Sequence, residues 1–460
     1  MRLAFLDREN EKARLQRAFG LEDGSFCCVY GRRRCGKSRL LQEVLPRERA
    51  VYYAADELEA PLQRAAVAAA MADRVPGMEQ VTYPDWASLF QRWWRQAPPR
   101  SVLVLDEFPY LARTSPEIPS VLQKLLDQGT SGGKHLVICG SSQRMMQGLV
   151  LDATAPLYGR AREILDVKAL GMFWLGPALG IARPIEVLEA YAVWGGVPRY
   201  WELAAEGASL WESVAELVLD PMGVLHSEPL RLLMDDLRDT VQAASILALV
   251  GAGCARLSEI AGRLGKPASS LTRPIQRLIE LGLIRRESPF GAPERSAKRT
   301  TYAVADPFMA FWFRYVEPNR SRLEAGVVAD VAAQIRQSFL RHAATVWEEQ
   351  ARRAFARMHV AEMSWLPAGR WWGPGTDRQP LEVDVVAEST DRRTLFVGEA
   401  KLRLQPAEAP RVQQELQDKV RRLPFSGAYE RVITAVIPAD PGATAIPGVI
   451  PPEDVLVACK

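Results

Sequence analysis

The sequence predicts an α/β chain: a doubly wound parallel sheet, a helical middle region, and a second, smaller α/β domain. Three observations carry this. The apolar run Phe26-Cys27-Cys28-Val29-Tyr30 passes directly into Gly31-Arg32-Arg33-Arg34-Cys35-Gly36-Lys37-Ser38 and then into a helical pattern that Pro46 helps to stop. Two further apolar runs end in polar groups, Ser101-Val102-Leu103-Val104-Leu105-Asp106-Glu107 and His135-Leu136-Val137-Ile138-Cys139-Gly140 before Ser141-Ser142. Near the C-terminus, the alternating stretch 381–387 and the run 395–401 are separated by a polar turn. Buried strands interleaved with helical stretches, among them 60–72 and 118–127, imply parallel pairing with helices on both faces.

The first element is a strand, a loop and a helix that fit G-x-x-x-x-G-K-[ST] without a mismatch. Gly31 and Gly36 let the backbone curl so that successive N–H groups of residues 31–39 and a helix N-terminus face a phosphate chain. Arg32, Arg33, Arg34, Cys35 and Arg39 complete that wall. Lys37 supplies a point charge to the β/γ-phosphates of ATP, and the Ser38 hydroxyl a ligand to Mg²⁺. This predicts a nucleotide-binding loop. Before it, residues 6–15 read as a short helix with Asp7 as N-cap.

The second element ends in two carboxylates, expected at the carboxyl end of a parallel strand beside the phosphate loop. Asp106 is expected to hold Mg²⁺ through water, and Glu107 to orient and deprotonate the attacking water. Ser141, at the end of the third strand, can touch the γ-phosphate or that water. Arg160, in Tyr158-Gly159-Arg160-Ala161-Arg162, is the candidate finger toward a γ-phosphate, in cis or from a neighbouring subunit.

Composition sets outer bounds. At 460 residues the chain exceeds one hydrophobic core, so about two to four domains are expected. No apolar run approaches the roughly 20 residues of a membrane span, and acidic residues come too early for a signal peptide; a cytoplasmic protein is expected. The six cysteines form no C-x-x-C pair and suit reduced, structural thiols. A net charge of +3 leaves nucleic-acid binding to local patches. Only ten of the 58 basic residues are lysines, so a lysine that completes a motif carries added weight.

In the middle, Gly195-Gly196-Val197-Pro198-Arg199-Tyr200 reads as a tight helix–helix corner. Taken with Arg8-Glu9-Asn10-Glu11, the phosphate loop, Leu105-Asp106-Glu107-Phe108, Gly140-Ser141-Ser142 and Tyr158-Gly159-Arg160, it resembles the archaeal-type ATPases of the STAND branch of AAA+ proteins. The resemblance covers roughly residues 1–320 and implies a helical lid over the nucleotide, then a winged helix. The residues agree: 245–250, 257–264 and 269–281 read as three short helices, and 283–286 and 300–304 as wing strands. Arg295, Lys298 and Arg299 in the wing loop, and Ser270, Thr272, Arg273 and Arg277 on the third helix, are the candidate DNA contacts. The aromatic stretch 306–316 resembles the helix that closes the winged helix of this family and argues for packing.

At the C-terminus, Asp384 and Glu399-Ala400-Lys401 on paired strands resemble the P-D-(D/E)-x-K nuclease core, with Val383 in place of the proline. Glu399 and Lys401 share one strand face. The resemblance implies Mg²⁺ held by Asp384 and Glu399, completed by Glu348 from a helix over 343–358. Lys401 is then expected to stabilise developing charge or orient the water.

The expected domains are a P-loop ATPase core (1–165), a helical lid (166–240), a winged helix (241–330) and a small α/β restriction-endonuclease-like domain (331–460). The expected activity is that of an ATPase coupled to DNA binding and metal-dependent cleavage. The alternative is an ATP-dependent regulator or scaffold with an inactive nuclease-like domain. An oligomer or a protein partner is compatible with both.

Overall fold

The computed structural model describes residues 3–128, 133–237, 239–293, 299–442 and 447–460. The chain divides into two compact units, Leu6–Ala169 and Leu170–Lys460, the second including the N-terminal residues up to Phe5.

The first unit is built on a five-stranded sheet: β1 (Ser25–Tyr30), β2 (Ala50–Ala54), β3 (Val102–Asp106), β4 (His135–Gly140) and β5 (Glu163–Asp166). Every pairing is parallel and the order is β2-β3-β4-β1-β5. β1, β3 and β4 are central and buried almost throughout, so they read as continuous apolar runs. Helices Ala60–Ala72, Trp86–Gln96 and Ile118–Asp127 pack on one face around Trp86, Phe90, Trp93 and Phe108, all 0% exposed. The Trp86–Gln96 helix starts on a capping bond, Asp85 accepting from the Ser88 N–H. The first helix begins later than expected, at Glu9, and Asp7 does not cap it. Both Asp7 and Arg8 have positive φ, and the Arg8 side chain turns inward.

The second unit starts helically. Helices Pro184–Trp194 and Pro198–Ala204 meet at the expected Gly-Gly corner, where Trp201 Nε1 donates to the Gly195 carbonyl at 2.7 Å. Helices Thr240–Gly251, Leu257–Leu264 and Ala268–Glu280 precede an antiparallel pair, β6 (Ile284–Glu287) and β7 (Thr301–Val304). The aromatic stretch packs as expected: Phe308, Phe311 and Trp312 are 0% exposed, and Trp312 Nε1 donates to the His226 carbonyl at 2.6 Å.

A 28-residue helix, Val328–Phe355, then leads into a four-stranded mixed sheet. Its strands are β8 (Gly369–Pro374), β9 (Pro380–Glu388), β10 (Thr394–Arg403) and β11 (Arg431–Asp440), in the order β11-β10-β9-β8. β8, β9 and β10 are antiparallel neighbours; β11 is parallel to β10, a crossover that the helix Ala409–Arg422 makes possible. Trp347 Nε1 donates to the Ile437 carbonyl at 2.8 Å, and Phe355 stacks 4.2 Å from Phe396, so the long helix lies on this sheet. All six cysteines are buried free thiols. Among the described residues no helix is long and apolar enough to cross a membrane.

Candidate active sites

In the first unit the chain leaves β1 at Gly31, whose φ of +143° no L residue adopts without strain; a Cβ there would stand 2.4 Å from the Val167 carbonyl oxygen. Arg34 and Gly36 also have positive φ, which coils the loop back on itself before the helix Lys37–Val44 begins. That helix directs its positive dipole end into the loop. Lys37 is 5% exposed, and its ammonium donates to the Gly31 and Arg32 carbonyls at 2.9 and 3.1 Å. The cation is thus held over the hollow of the loop, in reach of a phosphate that would replace those carbonyls.

Ser38 Oγ donates to Asp106 Oδ2 at 2.7 Å, so the two groups expected to serve Mg²⁺ meet across the loop. A hydroxyl and a carboxylate are hard oxygen donors that suit Mg²⁺, which takes its remaining ligands from phosphate and water. Asp106 is 2% exposed and also accepts from the Glu107 N–H at 2.9 Å and from the Tyr52 hydroxyl. Burial first, then the Asp106 charge, push the Tyr52 hydroxyl well above its ordinary range, so it stays a donor. Glu107 has φ +48°, which swings its carboxylate out of line with the strand. Ser141 Oγ donates to both Glu107 oxygens, at 3.1 and 2.9 Å. The ends of β1, β3 and β4 therefore converge on one polar cluster.

Arg160 does not join it. Its guanidinium grips Asp127 in two bonds of 2.7 and 2.9 Å and donates to the Pro156 carbonyl. Arg162 N donates to the Phe26 carbonyl, near the start of β1, so Arg160 lies at the opposite end of the strands from the loop. Five residue steps lead from Phe26 to Gly31, roughly 16 Å at 3.3 Å per residue. The cis finger is ruled out by that span. Only a neighbouring copy would bring Arg160 to a γ-phosphate.

One residue here is not expected from the sequence, and another is expected only as part of the Arg8-Glu9-Asn10-Glu11 motif. Tyr52 lies on β2, an edge strand with too weak an apolar signal to read. Arg8 is 5% exposed; its guanidinium donates to the Cys35 carbonyl at 3.4 Å and to the Lys168 carbonyl, pinning the loop to the chain after β5.

In the second unit Asp384, Glu399 and Lys401 come from the expected hairpin, with Val397 opposite Val386 and Gly398 opposite Val385. Asp384 Oδ2 accepts from the Ala400 N–H at 3.0 Å. Glu348 faces the same place from the long helix. Burial, then the Asp384 charge, push Glu348 up to about 7. Burial and the Glu399 charge likewise raise Asp384. Glu399, however, is engaged on both oxygens: Lys401 Nζ stands 2.9 Å from Oε1 and Lys419 Nζ 2.6 Å from Oε2. Lys419, on the helix Ala409–Arg422, is not expected from the sequence. Among the described residues no group of three or more acidic, histidine or cysteine side chains is placed to hold a metal ion. Glu348, Asp384 and Glu399 are thus not gathered as a ready three-carboxylate site among the described residues, and both Glu399 oxygens face lysines instead.

Of the expected DNA contacts, Arg295 and Lys298 lie outside the described residues. Ser270, Thr272 and Arg273 are exposed on their helix, and Arg277 pairs with Glu280 at 3.1 Å. The segment after β6 does not project freely. Phe290 N donates to the Arg370 carbonyl of β8 at 2.8 Å, and its ring packs 5.7 Å from Phe425.

Comparison with known proteins fits this geometry. Residues 5–203 match the family of ATPase domains found predominantly in Archaea. Residues 312–412, which include Glu348, Asp384, Glu399 and Lys401, match a family of archaeal and bacterial proteins of unknown function. An uncharacterized protein of Methanocaldococcus jannaschii is 29% identical over 401 residues, covering 85% of this chain and 86% of its own. A Walker-type ATPase of Pyrococcus abyssi superposes with a TM-score of 0.52 at 18% identity, over 67% of this chain and 96% of its own, a likeness of fold. Residues 5–203 thus match an archaeal-type ATPase domain and share the α/β fold of a Walker-type ATPase, and a C-terminal domain with a mixed sheet follows.

Proposed function

We propose that the chain binds and hydrolyses ATP at residues 31–39 and uses its nucleotide state to govern a DNA-binding, metal-dependent nuclease-like site around Asp384. The observation that carries the first half is the Ser38–Asp106 contact beside Lys37, with Glu107 one residue on. Lys37 binds the β/γ-phosphates, Ser38 and Asp106 hold Mg²⁺, and Glu107, oriented by Ser141, takes the proton of the attacking water. Mg²⁺ bound there neutralises phosphate charge. Arg160 completes the site only from a neighbouring copy.

The second half is supported by one helix, three antiparallel strands, a crossover helix and a parallel fourth strand, which bring Glu348, Asp384, Glu399 and Lys401 together. Asp384 and Glu348 are the oxygen donors for a divalent cation, and Lys401 holds developing negative charge. The helices 240–280 with β6 and β7 act as the winged helix, with Thr272 and Arg273 toward DNA. A second reading is favoured by one specific observation: Glu399 is bound by two lysines. In that reading the C-terminal domain is an inactive scaffold and the protein an ATP-dependent switch.

DNA cleavage with Mg²⁺ or Mn²⁺, with and without ATP, tests this in wild type and Lys401→Ala. Cleavage that disappears in the variant supports the nuclease. No cleavage of duplex, single-stranded or branched DNA by either protein moves the reading to the switch.

A further inference from the structure

A cavity of about 530 Å³ opens within the second unit, inside the roughly 300–1,000 Å³ range of small-molecule sites. Its first wall is set by two contacts. Tyr302 N donates to the Ala255 carbonyl at 2.7 Å, which puts Arg256 beside Thr301. Gly251 packs so closely that an added Cβ would stand 2.9 Å from Phe313 Cβ and 3.5 Å from Arg314 N, which brings Arg314 to the same wall. Across the space stand the long helix and β8, with Trp372 on the lining.

The arginines facing the cavity divide into two groups, and the Glu348 carboxylate lines the space as well. Arg285 is held by Glu287 at 2.7 Å and Glu349 at 3.4 Å, Arg352 by Glu349 at 3.3 Å, and Arg370 by Glu382. Arg256 and Arg314 form no ion pair among the described residues, although both line the space. The Thr301 hydroxyl, on the same wall, is buried with no hydrogen-bond partner among them. A buried hydroxyl without a partner is costly unless a ligand or water satisfies it. Arg256, Arg314, whose guanidinium lies over the Tyr315 ring at 5.5 Å, and Thr301 all line the space, a donor set suited to the oxygens of a phosphate, which arginine binds through paired N–H donors.

We propose that this cavity is a second nucleotide site, separate from residues 31–39, and that it takes a nucleoside phosphate. Arg256 and Arg314 bind the phosphate, Thr301 donates to it, and the base lies toward Trp372, whose ring is flanked on one side by the Arg370 guanidinium at 5.5 Å. The nucleoside phosphate is either free or the terminal residue of a single strand; the volume leaves no room for a duplex. The site stands whether or not Asp384 supports cleavage.

The test uses the full chain carrying Lys37→Ala, which silences the phosphate loop, in EDTA so that no metal-dependent cleavage intervenes. AMP, ADP and a 5′-phosphorylated oligothymidylate are titrated by calorimetry, with tryptophan fluorescence as a second readout. Binding is expected to persist in Lys37→Ala and to weaken at least about tenfold when Arg256→Gln and Arg314→Gln are added. Arg256 is exposed, so its substitution alone leaves the fold intact and still weakens binding. In the wild-type background the same pair of substitutions removes one of two ADP sites. AMP binding identifies a free nucleotide as the source; binding of the oligonucleotide alone identifies a strand end. Absence of binding by every probe in folded Lys37→Ala, or affinity unchanged by both arginine substitutions, overturns the proposal.

Discussion

Ser38 Oγ lies 2.7 Å from Asp106 Oδ2, joining residues 68 positions apart across the mouth of the phosphate loop. The contact makes Mg²⁺ dependence a property of the pair. Asp106→Asn and Ser38→Ala are each expected to lower Mg²⁺-dependent ATP turnover, and Lys37→Ala to abolish that turnover together with ATP binding at residues 31–39. Equilibrium binding of a fluorescent ATP analogue and phosphate release check both; unchanged hydrolysis by purified Lys37→Ala would remove the assignment.

Glu107 and Ser141 should separate binding from chemistry. Glu107→Gln keeps the shape of the side chain, so ATP affinity is expected to hold while turnover falls by on the order of 10²-fold or more. Ser141→Ala, which removes only the hydroxyl that orients Glu107, is expected to cost less. Single-turnover kinetics of the two variants distinguish these outcomes.

Gly31 and Gly36 should not tolerate alanine equally. At Gly31 both the positive φ and the Val167 carbonyl 2.4 Å away oppose a Cβ, whereas Gly36, φ +89°, has open space around it. Gly36→Ala therefore carries backbone strain alone, about 1–2 kcal/mol, and Gly31→Ala a larger loss. Urea denaturation of the two variants gives the order.

Acid should weaken the second unit through His342. This ring is 3% exposed and donates from Nε2 to the Ala192 carbonyl at 2.9 Å; burial pulls it down from 6.5 to about 4. The folded value lies below the unfolded one, so the unfolded chain binds the proton more readily. The stabilisation is complete above pH 6.5 and is lost as pH falls through 4, by at most about 3 kcal/mol. His342→Gln keeps an N–H donor without a titration and is expected to flatten that limb of a stability-against-pH curve.

Glu399 offers a different measurement. Lys419→Met leaves one carboxylate oxygen of a largely buried group without its partner, an expected loss of about 1–3 kcal/mol. If the two lysines keep metal away, the same variant should bind Mn²⁺ more tightly than wild type, which calorimetry reads directly.

How far the sequence reveals this molecule depends on where each strand lies. The central strands β1, β3 and β4 are buried on both faces and announce themselves as apolar runs. The two edge strands do not: β2 alternates buried with half-buried positions, and β5 is four residues with Ile164 40% exposed. The helices 60–72 and 118–127 are legible to the residue, since propensity and amphipathic spacing agree there. In the sites, residues carried by a motif are legible and those supplied by folding are not. Tyr52 sits on an unread strand; Arg8 falls in a motif, but its inward turn depends on two consecutive left-handed residues. Lys419 reaches Glu399 from a helix whose last turn also carries Arg421 and Arg422, so nothing but the scarcity of lysine marks it out.

The hydrogen bond from Phe290 to β8 bears on how copies of this chain can meet. β8 is one margin of the C-terminal sheet, and Phe290 occupies the Arg370 carbonyl there. At the other margin, Val436 of β11 exchanges bonds with Gly448 and Ile450, at 2.9 Å each. Each margin is thus occupied at one point by the chain's own backbone, which interrupts the ladder that a second strand would continue, the route by which exposed edges aggregate. A strand added at either margin would have to displace these contacts or stop short of them, which disfavours self-association through the sheet edges.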